Sequence, residues 1–449
     1  MPETSGINSI LAYQEGGDFR WNAGASRGTP VVVTYSFTTG DDLDRFQDSA
    51  TDGSSFFAFT AAQQDSFRQA TEVYSDVAGI IFVEVDGEAM INVARGEGTG
   101  RGGYAHYPSP EVDYAFNHFG VLVLDNTTDL SPGQDGFRLL LHELGHASGL
   151  SHPHEGPYTL SDRLDDIEHT VMTYNNSYRH DSDTVDLGSL DVAALQHLYG
   201  NASATRGWVA RDDGDMFYIR GSSRAETITA VDQATKIKGG LGADTLHGRA
   251  FDDILVGGGG HDKLKGNGGD DLLKGGGKND RMWGGIGDDK LFGGRGDDRL
   301  KGQDGNDILV GNKGNDRLFG GDGDDNLSGG SGNDRLEGGY GQNVLTGGRG
   351  DDKLISGGWS DEMTGGSGAD RFIFDTRNTF GTTVDITDFS QGTDSFAIRS
   401  TEDLRLETWD TDDGASVSVY GETTGTYHGT VTFMGLSVDS IDVSQFDFI

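Results

Sequence analysis

Five residues in the first half of the chain have the types and spacing of a metal site. His142, Glu143, His146, Gly149 and His152 spell H-E-x-x-H-x-x-G-x-x-H. Residues four apart on a helix project from one face, so His142 and His146 can share one ion. Gly149 can adopt positive φ and end the helix, which returns His152 as a third nitrogen ligand. Three histidines with one open position are typical of catalytic zinc, and Glu143 is placed to act as general base toward water.

The alternative is that these histidines are ordinary polar residues on a helix surface. Five matches at fixed spacing rarely arise by chance in a chain with 12 histidines, so we favour the metal site. The remaining histidines lack ligand spacing, and we expect surface or capping roles for them.

A buried helix and a sheet must hold these side chains, and the sequence predicts both. FRLLLHELGHASGL (137–150) has the composition of a long buried helix, while VVVTYSF (31–37) and IIFVEV (80–85) have that of strands. Thr60 and Gln63 form a capping box that starts a helix between those two strands. Further elements are predicted as strands at 90–95 and 121–125, and as a helix from its N-cap Ser189 to Gly200.

A second kind of chemistry comes from a nine-residue period that runs from Gly239 to Ile373. Its fifteen units include GGIGDDKLF and GGSGNDRLE. The eighth position is always large and apolar, and the sixth is Asp in fourteen units and Asn343 in the other. The sixth-position aspartates, which we predict to be calcium ligands, are Asp244, Asp253, Asp262, Asp271, Asp280, Asp289, Asp298, Asp307, Asp316, Asp325, Asp334, Asp352, Asp361 and Asp370.

The period predicts an all-β right-handed parallel β-roll. Glycines let each G-G-x-G-x-D turn expose its carbonyls, and the apolar eighth residue points inward from a short strand. Two units make one coil, so each Asp stacks on the Asp eighteen residues away. Several structural Ca²⁺ ions fit such turns, because calcium accepts six or more oxygens in flexible geometry and magnesium does not. A flexible Gly/Asp-rich linker is the alternative, but the apolar position never lapses.

The composition of the chain limits the classes of partner that it can bind. Among 449 residues, 73 are Asp or Glu and 34 are Lys or Arg, so the formal charge of -39 disfavours nucleic acid and anionic membranes. The chain has no cysteine, which excludes disulfides and thiolate metal sites. No apolar run approaches the length of a membrane span, and the start MPETSGINSI lacks the features of a conventional signal peptide, so we expect neither.

The motif HELGHASGLSHP, followed by TVMTY, resembles the serralysins, which are secreted RTX zinc endopeptidases of the metzincin clan. LDVAALQHLYG and TPVVVTYSF are similar to further segments of that family. The resemblance implies an α+β metzincin zinc-protease domain with one catalytic Zn²⁺ on His142, His146 and His152. It also implies that Met172 underlies the zinc. Tyr174 would be a further, displaceable zinc ligand that later donates to the oxyanion.

The resemblance further implies protein or peptide substrates and an extracellular location. A type I secretion exporter would read an uncleaved C-terminal signal, for which Phe446–Ile449 (FDFI) is the candidate. A chain that stays unfolded in low cytosolic calcium and folds outside the cell would suit that route. We expect a monomer whose substrate adds as a strand to the edge segment GGYAHYP (102–108).

The sequence therefore predicts a secreted zinc endopeptidase. Its expected divisions are a metzincin catalytic domain at 1–202, connecting strands at 203–238, a calcium-binding RTX β-roll at 239–373 and a C-terminal β cap with the secretion signal at 374–449. One alternative is a calcium-dependent surface or matrix protein with a vestigial protease half. Another is an RTX lipase or polysaccharide epimerase. The chain has a G-x-S-x-G match, GASRG (24–28), but it precedes a predicted strand and does not link a strand to a helix as a nucleophile elbow does, and we find no helix of another repeat type.

Overall fold

The structure, a computed structural model, divides the chain into two compact units, Met1–Tyr218 and Ile219–Ile449. The four-part division made from the sequence stays a prediction. The described residues are 13–14, 17–18, 27–37, 56–86, 89–96, 103–105, 120–132, 134–152, 170–172, 187–357, 359–376, 382–401 and 403–449.

Unit 1 combines helices with a mainly parallel sheet. Its helices are α1 (Ala61–Val77), α2 (Asp135–Ala147), α3 (Ser189–Tyr199) and a 3₁₀ turn (Ala202–Thr205). Its strands are β1 (Tyr13–Gln14), β2 (Gly17–Asp18), β3 (Val31–Phe37), β4 (Phe56–Phe57), β5 (Ile80–Glu84), β6 (Ile91–Gly96), β7 (Gly103–Ala105), β8 (Gly120–Asp125) and β9 (Val209–Asp212).

The sheet of unit 1 has the strand order β5-β3-β6-β8-β7, with β4 paired to β6. Strands β3, β5, β6 and β8 are parallel, while β7 lies antiparallel at the edge beyond β8. Six of the seven residues of β3 are buried, as expected of a parallel strand covered on both faces. The capping box of Thr60 with Gln63 starts α1 between β3 and β5, which confirms the predicted strand, helix and strand.

Two predicted helix limits are wrong by a few residues. Helix α2 ends at Ala147 rather than at residue 150, because Gly149 has φ +90° and turns the chain away. Helix α3 has Gly188 as its N-cap, and Ser189 is its first helical residue. Within the described residues no helix is long and apolar enough to span a membrane.

Unit 2 is a parallel β-solenoid made of two sheets, and β10 (Phe217–Arg220) precedes it across the unit boundary. The even-numbered strands of one sheet are β12 (Thr235–Leu241), β14 (Ile254–Gly259), β16 (Leu272–Gly277), β18 (Lys290–Arg295), β20 (Ile308–Lys313), β22 (Asn326–Ser331), β24 (Val344–Arg349), β26 (Ser360–Ser367) and β28 (Thr382–Ile386). The odd-numbered strands of the other are β11 (Thr227–Thr229), β13 (Thr245–His247), β15 (Lys263–Gly268), β17 (Arg281–Ile286), β19 (Arg299–Asp304), β21 (Arg317–Asp322), β23 (Arg335–Tyr340), β25 (Lys353–Ile355), β27 (Arg371–Asp375) and β29 (Ser395–Arg399).

Each coil of the solenoid is two nonapeptides long. The register pairs Leu264 with Met282 and then Leu300, each eighteen residues apart. These eighth-position side chains are completely buried between the sheets. A chain with this much glycine can form a core because one apolar residue per unit is stacked on its equivalents. The predicted fold class, an α+β unit followed by a parallel β-roll, is confirmed.

The predicted β cap after the repeats is also present. Strand β28 continues the even sheet and pairs in parallel with β32 (Tyr427–Met434). Strands β30 (Leu404–Asp410) and β31 (Gly414–Gly421) add to β32 as an antiparallel meander. The C-terminal segment contributes 3₁₀ turns at Val438–Ser440 and Val443–Gln445 and the short strand β33 (Asp447–Phe448), which pairs with β29.

Candidate metal centres

The three predicted histidine ligands converge. Nε2 of His152 lies 3.1 Å from Nε2 of His142 and 3.1 Å from Nε2 of His146. One ligand atom from each of the three histidines lies within 4.8 Å of the others, an arrangement that could hold a metal ion. Helix α2 supplies the first two, and the turn at Gly149 brings the third back toward them.

Backbone carbonyls orient two of these imidazoles. Nδ1 of His142 donates to the carbonyl oxygen of Val171 at 2.8 Å, and Nδ1 of His146 donates to that of Leu150 at 2.8 Å. A carbonyl can only accept, so each Nδ1 carries the proton and each Nε2 presents its lone pair to the shared centre. Burial, followed by the neighbouring His142 and His152, lowers the pKa of His146 to about 3, so the ring is neutral. The donor set therefore fits a zinc ion.

Met172 lies directly against helix α2. A Cβ added to Gly145 would stand 2.5 Å from Sδ of Met172 and 3.0 Å from the hydroxyl of Tyr74. Gly145 is therefore needed for this close approach. Tyr74 also donates to the carbonyl oxygen of Leu141 at 2.6 Å, which anchors α1 to α2. The structure thus places Met172 beneath the histidine-bearing helix, while Tyr174 lies outside the described residues.

Glu143 is buried beside the histidines, with 3% of its surface exposed. Burial raises the pKa of its carboxyl to about 7, and the backbone N–H of Ala105 opposes that rise by donating to it. Oε2 of Glu143 has no hydrogen-bond partner among the described residues. A buried carboxylate with one uncommitted oxygen and a pKa near neutrality has the properties of a general base.

Sequence reasoning missed Asp191, which holds the segment under the histidines. Its buried carboxylate accepts from the hydroxyl of Thr170 at 2.5 Å, the N–H of Val171 at 2.8 Å and the N–H of Gly188 at 2.9 Å. Burial raises the pKa of Asp191 to about 7 against these three donors. In sequence it is only an acidic residue in the first turn of α3, which signals capping and nothing more.

In the roll, the sixth-position aspartates form a hydrogen-bonded ladder. The N–H of Asp280 donates to Oδ1 of Asp298 at 2.7 Å, and the N–H of Asp298 donates to Oδ1 of Asp316 at 2.7 Å. The same bond recurs along the roll at a separation of eighteen residues, as the two-unit coil requires. The structure therefore stacks these carboxylates in the way the sequence predicts.

The second oxygen of most of these carboxylates is left without a partner. Oδ2 is buried with no hydrogen bond to the described residues in eleven cases, which are Asp244, Asp262, Asp271, Asp280, Asp289, Asp298, Asp307, Asp316, Asp325, Asp334 and Asp352. At Gly239, an added Cβ would fill a cradle 2.4 Å from Oδ2 of Asp244 and 2.9 Å from the carbonyl oxygen of Gly257. Clustered, unpaired oxygens of this kind suit calcium, which takes carboxylate and carbonyl ligands together.

Three of the four other sixth positions have a hydrogen bond that explains the difference. Oδ2 of Asp253 accepts from the N–H of Arg249, and Oδ2 of Asp361 accepts from the N–H of Gly357, both at 2.9 Å. These two oxygens already accept a hydrogen bond, so they are less suited to bind a cation than the eleven unpartnered Oδ2 atoms. The amide of Asn343 donates to Oδ1 of Asp361 at 2.9 Å and replaces a carboxylate with a donor.

Residues outside the period complete the two ends of the ladder. At one end, the N–H of Glu226 donates to Oδ1 of Asp244, and the carboxylate of Glu226 accepts from the N–H of Ser222. At the other end, the carboxylate of Asp394 accepts from the N–H of Asp370. Glu226 lies eighteen residues before Asp244 and keeps the spacing of the repeat, but its segment lacks most of the turn glycines. Asp394 lies twenty-four residues after Asp370, so the period could not have identified it.

The aspartate ladder has strongly perturbed electrostatics without an ion. Burial is the largest cause, and it raises the pKa of Asp271, Asp280 and Asp307 to about 8. Repulsion between neighbouring ladder carboxylates adds to it, while the backbone N–H of the preceding coil opposes it. The folded turns therefore favour either a proton or a cation on each carboxylate.

A family model described as the RTX calcium-binding nonapeptide repeat (4 copies) matches this region. The matched residues are 238–273, 265–300, 301–336, 328–358 and 337–372. The fold and the sites thus define an α+β unit with three converging histidines that fit a metal ion, followed by a β-roll of the calcium-binding repeat type.

Several curated proteins with similar sequences are serralysins. The chain is 27% identical over 244 residues to a serralysin of Photorhabdus sp. (strain Az29), covering 49% of this chain and 48% of that one. It is 28% identical to a serralysin of Proteus mirabilis and 29% identical to serralysin C of Dickeya chrysanthemi, over similar shares. The chain is thus a relative of the serralysins, and it spans about half the length of the curated relatives it matches. The structure of extracellular lipase LipA of Serratia marcescens aligns with 50% of this chain and 45% of its own at 17% identity, but the TM-score of 0.22 is too low to indicate a shared fold.

Proposed function

We propose that the chain is a zinc-dependent endopeptidase that acts outside the cell. The observation that carries the proposal is the convergence of the Nε2 atoms of His142, His146 and His152 beside the buried carboxylate of Glu143. The serralysin relatives support the same class of activity. Bound by the three histidines, zinc would supply a Lewis acid that acidifies a water molecule and polarises the scissile carbonyl.

Glu143 is the proposed general base. Its uncommitted Oε2 would take a proton from the attacking water and later pass it to the leaving amine. The N–H of Ala105 holds the carboxylate in place, so Oε2 need not reorient between the two transfers. Tyr174 is proposed to donate to the oxyanion, as the family resemblance implies.

The substrate is proposed to lie along β7. This strand is antiparallel at the edge of the sheet beyond β8, and Ala105 in it contacts Glu143. An extended peptide added to that edge would pass next to the general base. Gly103–Ala105 falls within the segment 102–108 that is proposed to receive the substrate, and the rest of that segment lies outside the described residues.

The roll is proposed to fold only when calcium occupies the sixth-position turns. Eleven buried carboxylates each have one oxygen without a partner among the described residues, which disfavours a stable ion-free roll at neutral pH. A chain that folds on reaching calcium outside the cell would pass through a type I exporter unfolded. Far-ultraviolet circular dichroism of the full chain should show β-structure rising cooperatively with calcium, and far less with equal magnesium. Equal responses to both ions would mean that simple charge screening suffices.

The peptidase itself is tested on casein with calcium held in excess. Removal of zinc by a chelator selective for transition metals should abolish hydrolysis, and added zinc should restore it. A matrix protein with a vestigial protease half would bind calcium and fold but would show no hydrolysis under any of these conditions. The two functions are thereby separated in one assay.

A further inference from the structure

One outer face of the roll carries a row of basic side chains. In the odd-numbered strands the seventh position of each nonapeptide points outward, opposite to the buried eighth position. It is basic in seven successive coils, and the register stacks these residues directly on one another. We call this row the basic ladder, and its members are Lys263, Arg281, Arg299, Arg317, Arg335, Lys353 and Arg371.

The fold does not require these cations. The even-numbered sheet has the same backbone register, the same turns and the same buried eighth position. Its seventh positions nevertheless hold a single cation among otherwise apolar, amide or acidic residues, which are Ile254, Leu272, Lys290, Ile308, Asn326, Val344 and Glu362. The ladder is therefore a property of one face and not of the repeat.

The centre of the ladder is not neutralised by the protein. Arg281, Arg299 and Arg317 are exposed, and none of them forms an ion pair within the described ranges. Only toward the C-terminal end do acidic partners occur, such as Glu337 at 2.8 Å from Arg335. Adjacent strands are about 4.8 Å apart, so these guanidinium groups are close neighbours.

The charges affect one another. The pKa of Lys353 is lowered, first by burial and then by repulsion from Arg335, Arg371 and Arg399. Like charges held this close oppose folding unless an anion joins them. In a chain with a formal charge of -39, an unneutralised row of cations needs an external reason.

Aromatic rings lie beside the ladder in the ninth-position column of the same strands. Trp283 and Phe319 alternate there with Lys265 and Lys301, and Nζ of Lys265 lies 5.8 Å from the centre of the Trp283 ring. A groove of about 610 Å³ is lined by Trp283 together with Lys263, Lys265 and Arg281. Trp283 and Phe319 also line a groove of about 490 Å³, whose lining includes the acidic Asp304, Asp322, Glu337 and Asp375. Flat apolar rings next to cations match a sugar that has an apolar face and an acidic substituent.

We propose that this face binds a linear acidic polysaccharide with one carboxylate on each sugar. The chain would run along the roll axis, so that the carboxylates on one side of it meet rungs of the basic ladder. Neighbouring sugars of an extended chain are rotated about its axis, so every second or third carboxylate faces the roll and meets an arginine or lysine. Arginine is the suitable rung, because its planar fork binds a carboxylate through two parallel hydrogen bonds.

A nucleic acid fits this face less well. Its phosphates carry one charge per about 3.4 Å of each strand, so its charge density exceeds that of the rungs. The same face also holds Asp304 and Asp322 in the third-position column, and these lie between the ladder and one row of turns. They would repel a dense polyanion more than a chain with one charge per sugar.

Binding of an oligogalacturonate about seven sugars long to the full chain tests the proposal, with free calcium held constant and in excess. We expect saturable binding that weakens as salt rises. The variant R281Q/R299Q/R317Q should bind at least tenfold more weakly. The matched control K236Q/K274Q/K290Q removes three positive charges from the other sheet and should bind within twofold of the wild type.

Three outcomes would overturn the proposal. They are equal weakening by both triple variants, equal binding of a neutral oligosaccharide of the same length, and tighter binding of single-stranded DNA. Circular dichroism during calcium titration shows that each variant still forms the roll. The readout is binding to unit 2, so a failure here is distinct from a failure of the proposed peptidase activity.

Discussion

The carboxylate of Asp191 accepts the backbone N–H of Val171 at 2.8 Å, and this bond fixes the segment under the histidine-bearing helix. The carbonyl oxygen of the same Val171 accepts Nδ1–H of His142 at 2.8 Å. Val171 thus links Asp191, in the first turn of α3, to His142, a predicted zinc ligand. Asp191 is therefore a positioning residue for the metal centre, because it acts on His142 through Val171.

Replacing Asp191 by Asn should weaken zinc binding without unfolding unit 1. The carboxylate of Asp191 accepts three hydrogen bonds, and an asparagine would replace one of its two oxygens with an NH₂ group that cannot accept. At least one of the three bonds would be lost, and the segment of Val171 would be held less firmly. Loss of such an outer partner lowers metal affinity by about 10- to 100-fold. Competition with a chromogenic chelator measures it. The control is Asp129→Asn, which changes an exposed carboxylate of the same unit, and equal affinities in both variants would contradict the positioning role.

Replacing Glu143 by Gln should remove hydrolysis and keep zinc. The amide has nearly the same size but cannot accept a proton, so the rate should fall by on the order of 10²- to 10⁴-fold. Zinc content and casein hydrolysis are measured on the same sample. Glu72→Gln, at an exposed position of α1, serves as the control and should match the wild type. Activity within tenfold of wild type in Glu143→Gln would mean that another group is the base.

The sequence predicted those parts of the sites that depend on local spacing. The four-residue step between His142 and His146 defines one helix face, and Gly149 marks the turn through its need for positive φ. The role of Asp191 depends on a contact twenty residues away in sequence, between elements whose packing no periodicity reports. The same limit applies to the close approach of Met172 to Gly145, for which only the family resemblance gave a signal.

In the roll, the nine-residue period predicted the stacking of the coils. It did not predict that two irregular units would hydrogen-bond both oxygens of their sixth-position aspartates. The unit of Asp253 has Arg249 where a turn glycine is usual, and that of Asp361 begins with Ser356 instead of glycine. In both units the carboxylate satisfies a backbone N–H near the altered turn. Loss of the second glycine alone does not have this effect, because Oδ2 of Asp271, Asp307 and Asp316 stays without a partner among the described residues. The second positions of those three units are Asn267, Gln303 and Asn312, which adopt positive φ.

Replacing Asp298 by Asn should raise the calcium concentration needed to fold the roll. The amide oxygen can still accept the N–H of Asp280, but the buried, unpartnered Oδ2 becomes a donor that repels calcium. We expect the midpoint to rise by roughly three- to tenfold, since affinity follows the number of charged ligands. Circular dichroism during calcium titration gives this midpoint.

The neighbouring Asp297 provides a control with the same change of charge. Its exposed carboxylate accepts the N–H of Asn315, a bond that an amide oxygen can also make. Asp297→Asn should therefore leave the calcium midpoint nearly unchanged. Equal shifts in the two variants would show that net charge, and not the buried oxygen, controls folding of the roll.

Without calcium, the roll should be more stable in mild acid than at neutral pH. Burial raises the pKa of Asp271, Asp280 and Asp307 to about 8, well above the value of about 3.9 for an unfolded aspartate. The folded state then binds more protons than the unfolded state between these pH values. Its stability is fully present below about pH 4 and is lost as pH rises toward 8.

Calcium should reverse that dependence, because it binds the ionised carboxylates and competes with protons. In a chelator, the β-signal in circular dichroism should be larger at pH 5 than at pH 8, whereas with calcium in excess it should be retained at pH 8. Asp297→Asn should behave as the wild type, because the exposed carboxylate that it removes is not one of the buried sixth-position carboxylates. An ion-free roll that is equally folded at both pH values would mean that its buried carboxylates are not the groups that make folding depend on calcium.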